Sequence, residues 1–146
     1  MKAHLPRFLA VVVVVASATS AQANAPAGRY TTAGGTVYDT ETKLTWQQTV
    51  ASGTYTWAGA RTYCAGLNLG STGWRLPTVK ELQTIVDDSQ TNPSIDTTAF
   101  PSTLADWFWS SSPLAGSSSF AWGVSFNDGL TGYYAMSTKY NVRCVR

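Results

Sequence analysis

The chain has 146 residues, with 10 Lys plus Arg against 8 Asp plus Glu and a formal charge of +2. That length suits one domain, and so small a charge argues against nucleic acid or an anionic membrane as partner. The single histidine, His4, lies in a leader-like start, so histidine-based triads, zinc sites and proton shuttles are excluded from the folded part.

Met1, Lys2, His4 and Arg7 form a short basic start, Phe8 to Ala16 an apolar run, and small residues follow to Ala23. This is the pattern of a secretory signal peptide over residues 1–23, cut after Ala23 or, second, Ala21. Nine apolar residues are too few to span a bilayer as a helix. Cleavage removes Lys2 and Arg7 and leaves eight basic and eight acidic residues, hence no net charge and no membrane span in the mature chain. The expected location is secreted or periplasmic. In such an oxidising compartment the only two cysteines, Cys64 and Cys144, are expected to form a disulfide.

Residues 24–35 are rich in Ala, Pro and Gly and read as a flexible mature N-terminus, with the domain proper over 36–146. Val37, Leu44 and Trp46 around the polar DTET turn predict a hairpin. Trp57, Ala60 or Arg61, Cys64 and Leu67 recur at helical spacing, with Thr56 as cap and Gly70 as stop. Thr78 followed by Glu81 has the spacing of a capping box. It predicts a second helix with the stripe Val79, Leu82, Ile85 and Val86, ending near Asp88. A long irregular stretch with Pro93 and Pro101 follows. Trp107 and Trp109 alternate, so both face one way from a strand. Phe120, Trp122, Val124 and Phe126 share a face of the next strand, NDG at 127–129 is a hairpin turn, and LTGYYAM returns. YNVRCVR closes the chain with Val142, Cys144 and Arg146 on one side. The order predicts an α+β domain with an antiparallel sheet of three or four short strands.

Little in this pattern is catalytic. Ser is abundant, but there is no GxSxG elbow and no base to activate a hydroxyl. Glu81 is used as a helix cap, and the remaining acids sit in turns or loops. No metal or cofactor is expected; the nearest approach to a calcium set is Asp96, Asp106, Asn127 and Asp128, which also read as turn and loop residues. The distinctive feature is aromatic. Trp46, Trp57, Trp74, Trp109 and Trp122 fall at inward positions. Trp107, Tyr133, Tyr134 and Tyr140 are left near turns or on second faces, beside Asn127 and Asp128, and form a candidate ligand surface. Arg143 and Arg146 end the chain and are expected to add a small basic patch.

LTWQQ at 44–48, TYTWAGARTYCAGLNLGSTGWRLPTVKEL at 54–82, FWSSS at 108–112, FAWGVSFNDG at 120–129 and YNVRCVR at 140–146 resemble the DUF1566 family, the C-terminal domain of the Legionella collagen-like adhesin. The resemblance covers about residues 36–146 and implies a C-type-lectin-like fold: two helices flanking a small antiparallel sheet, a long loop region, and a bridge from the first helix to the last strand, where Cys64 and Cys144 stand. It further implies binding to sulfated glycans or host surfaces. The EPN segment of calcium-dependent lectins has no counterpart, and FND at 126–128 is only a loose match to their WND. No collagen-like stalk precedes the domain, so multivalent display would come from self-association.

GWRLPT at 73–78 is expected to be structural: Gly73 for the turn, Trp74 in the core, Arg75 tying the corner to the sheet, Pro77 stiffening the approach, and Thr78 capping with Glu81. The function that follows is an adhesin-like binding module, secreted or in the cell envelope, that contacts glycan or protein through its long loop and exposed aromatics. The alternative is a structural envelope domain without a ligand of its own, and a catalytic role comes third.

Overall fold

The computed structural model describes residues 26–146. The leader-like segment lies outside them, and no helix among the described residues is long and apolar enough to cross a membrane. Strands β1 (Tyr30–Ala33), β2 (Thr36–Asp39) and β3 (Thr45–Gln47) form one antiparallel sheet in that order. Helices α1 (Trp57–Gly66) and α2 (Val79–Gln83) follow. Strands β4 (Trp107–Pro113), β5 (Phe120–Ser125) and β6 (Thr131–Ala135) form a second antiparallel sheet.

Local sequence accounts for both helix starts. The Thr56 side chain accepts from the Gly59 amide at the head of α1, and Thr78 and Glu81 make a reciprocal capping box on α2. Both helices are shorter than expected. The first ends at Leu67, whose extended backbone (ψ 138°) stops it before Gly70. The second gives way to tight turns after Gln83, although Ile85 still reaches the core and Val86 packs against it. β1 falls inside the segment expected to be loose. It has no buried side chain and is held by its backbone pairing to β2, so hydrophobic patterning gives no sign of it.

The largest difference from expectation is that there are two sheets, with the last residues joining them. Asn141 accepts from the Trp109 amide and donates to the Trp107 carbonyl along the edge of β4. Three residues on, Cys144 accepts from Gln47, Val145 exchanges backbone bonds with Arg75, and Arg146 exchanges them with Thr45. The expected alternation is present, with Val142 and Cys144 in one cluster and Val145 in the other. Because successive residues meet different partners, the segment makes isolated bridges instead of a ladder. Each of its faces is covered.

Two cores result. One gathers Trp46, Leu82, Ile85, Phe100, Phe108 and Phe126; the other gathers Ala60, Cys64, Trp74, Leu76, Trp109 and Val142. Phe108 and Trp109 are neighbours on β4 and enter opposite cores, so that strand is buried on both sides. Cys64 and Cys144 are bridged, with Cα atoms 5.4 Å apart, and tie α1 to the closing segment. The long stretch before β4 is anchored to the fold at several points, although Leu104 within it is exposed. Ile95 and Phe100 are fully buried, and Ser94 donates to the Phe126 carbonyl.

Candidate functional site

The GWRLPT corner is packed and hydrogen-bonded into the fold. Trp74 is buried and its indole donates to the Ser71 carbonyl, while the Arg75 backbone is bonded both ways to Val145. The Arg75 side chain turns back on its own segment and grips Glu81 with two bonds of 2.8 and 2.6 Å. The Arg75 guanidinium holds the Glu81 carboxyl down at about 2, with help from the Thr78 amide and hydroxyl against the opposing effect of burial. Pro77 is buried and accepts from Ser111.

A groove of about 800 Å³ opens beside this corner, lined by Ala58, Arg61, Thr62 and Ala65 of α1 and by Arg75, Leu76, Thr78 and Ser111. The α1 residues follow helical spacing with two alanines, which keeps that face low. Arg61 lies over the Trp57 ring at 4.8 Å. The groove was not foreseen from sequence, where only the spacing of Trp57, Ala60 or Arg61, Cys64 and Leu67 was read on this helix.

The surface expected for ligand binding is divided by the fold. On one face of the second sheet, Trp107 packs edge-on against Tyr134 at 4.7 Å, and Tyr140 sits 5.1 Å from Tyr134 and 5.0 Å from Trp109. Gly132 makes room for this: a Cβ there would lie 2.9 Å from Trp107 and 3.1 Å from Tyr134. Trp107 and Tyr134 are therefore half-buried structural residues. Burial raises the Tyr140 pKa, and Tyr134 and Asp106 add to the shift.

The opposite face carries the exposed rings. Tyr133 stands directly across from Trp122, 5.5 Å away, and Phe120 lies 6.1 Å from Tyr133, both in edge-to-face contact. Phe120 is 38% and Tyr133 53% exposed. Periodicity had correctly placed Phe120, Trp122, Val124 and Phe126 on one face. Only Val124 and Phe126 are buried, because the core beneath ends before Trp122.

Arg143 does not belong to any surface. It is fully buried, donates to the Gln48 carbonyl at 3.2 Å and the Thr103 hydroxyl at 2.9 Å, and lies over Phe100 at 4.7 Å. Burial lowers its pKa to about 9. Its neighbours Val142 and Cys144 are fully buried as well, so the segment keeps Arg143 away from solvent. Arg146 is exposed but reaches across Trp74 at 5.6 Å, away from the exposed rings.

The four oxygen-bearing residues considered for calcium each serve a local turn. Asp96 accepts from the Thr98 and Ala99 amides, Asp106 from the Trp107 amide and the Asn141 side chain, and Asp128 from the Leu130 amide. The Asn127 carbonyl takes the Asn92 amide. Among the described residues no three His, Cys, Asp or Glu side chains are placed to hold a metal ion. Gly129 completes this turn with φ +79°, and a Cβ there would meet Val86 at 2.8 Å.

No curated protein matches the chain. The family model of the Lcl C-terminal domain, named for the Legionella collagen-like adhesin, matches residues 35–146, beginning within the β1–β2 turn and running through both cores to the closing segment. The chain belongs to that family.

Proposed function

We propose that this adhesin-family domain is an exported, non-catalytic binding module that receives the apolar face of a cell-surface glycan on Phe120, Trp122 and Tyr133. The observation that carries the reading is the gathering of these rings on one face of β5 and β6, with Phe120 and Tyr133 exposed, Trp122 half-buried, and Tyr133 in edge-to-face contact with both of the others. Rings already fixed by one another lose little side-chain freedom when a ligand arrives, so more of the contact energy appears as affinity. We take the arrangement as C-type-lectin-like; the helix-to-closing-segment bridge and the pairing of β3 with the chain end support this. Export to the envelope or beyond accords with the disulfide and the family.

A second reading uses the groove at Arg61, whose charge beside the Thr62 and Ser111 hydroxyls suits an acidic sugar, the Arg75 charge on the same wall being already matched by Glu81. Binding to a glycan array and a heparin column, with and without chelator and salt, separates the two. With the rings as the site, retention survives chelator and high salt, and Phe120→Ala or Trp122→Ala costs about 2 kcal/mol, roughly thirtyfold in affinity. Loss of retention in salt and in Arg61→Ala assigns the ligand to the groove instead. Retention on no glycan, together with a protein partner recovered from the envelope, overturns both in favour of a structural domain.

A further inference from the structure

We propose that the outer edge of β6 is the contact between two copies of this chain, paired antiparallel about a two-fold axis at Tyr133. In the register with β5, Gly132 pairs with Gly123 and Tyr134 with Ala121, while Ser125 donates to Leu130 and Met136 to Ser119. The even-numbered residues thus bond inward, and Thr131, Tyr133 and Ala135 turn their amides and carbonyls outward. Among the described residues the Ala135 carbonyl, which takes the Thr138 amide, is the one outward group of these with a backbone partner. Folded proteins usually blunt such an edge with lysine, proline or a covering loop. Thr131 to Met136 contains no charge and no proline.

The strand is complementary to itself. Symmetry about Tyr133 places Tyr133 opposite itself, Gly132 opposite Tyr134, Thr131 opposite Ala135, and Leu130 opposite Met136, so no like charges meet and the apolar ends face each other. Leu130 is 63% and Tyr133 53% exposed, and both gain cover in the pair. Charge points to the same occupant. Asp128 before the strand and Lys139 after it are both exposed, and the axis brings Asp128 of one copy toward Lys139 of the other at both ends of the contact. With the axis perpendicular to the sheet, Phe120, Trp122 and Tyr133 of both copies lie on one side as a continuous ring surface. The pairing stands independently of what that surface binds.

Sedimentation velocity over a concentration series, without added ligand, tests the pairing. A reversible monomer–dimer equilibrium is expected, with the Thr131 and Tyr133 amides protected from hydrogen exchange only at high concentration. Thr131→Pro, which removes an outward amide, and Asp128→Lys should each weaken dimerisation about tenfold. Adding Lys139→Asp to Asp128→Lys should restore it, a result that a misfolded variant cannot give. A chain that stays monomeric at every concentration overturns the proposal, as does a dimer indifferent to both single substitutions.

Discussion

The two faces of the second sheet are built from the same kind of residue and end differently. On one, Trp107, Tyr134 and Tyr140 are gathered around Gly132 and roofed by the closing segment that carries Tyr140. On the other, Tyr133 touches both Phe120 and Trp122, and among the described residues no segment covers Phe120 or Tyr133, which stay exposed. Aromatic content alone does not make a surface site. What decides is whether a later part of the chain returns over the rings, and here it returns over one face only.

That contrast can be broken most severely at the bridge holding the roof. Replacing Cys64 and Cys144 together by Ala should cost roughly 4 kcal/mol in urea unfolding, the chain-entropy value for an 80-residue separation. Near-ultraviolet circular dichroism of the Trp107–Tyr140 face should fade in that variant before strand signal is lost. A smaller break comes from Gly132→Ala, whose new methyl crowds Trp107 and Tyr134. About 1–3 kcal/mol of destabilisation is expected, with ligand binding at the Phe120 face unchanged. The smallest effect is a control remote from both faces. Glu81 titrates at about 2 when folded against an ordinary 4.5, so its stabilising contribution is complete above pH 4.5 and is lost as pH falls toward 2. Glu81→Gln should flatten the acid limb of a stability–pH curve over that window while leaving both ring faces as they are.

Features that depend on a few neighbouring residues were legible in the sequence. The Thr56 and Thr78 caps, the capping box with Glu81, and the NDG turn each need only local chemistry, and each is present. The disulfide followed from compartment and count, and the family from motifs spread along the chain. What could not be read was long-range. YNVRCVR has the alternation of a strand, but nothing in seven residues tells that β3 and Arg75 hold one end and β4 the other. Arg143 shows the limit most clearly. An arginine reads as surface by every compositional rule, yet tertiary packing sets Arg143 above Phe100 with only Gln48 and Thr103 as polar partners. The site was half legible for the same reason: periodicity assigns rings to a face but does not say where along the strand the core stops.

The closing segment also makes the two interiors stand or fall together. Val142 and Cys144 fill one of them and Val145 the other, within four consecutive positions of one backbone. Loosening either interior therefore pulls on the other through the same short stretch, so the domain should melt as one cooperative unit.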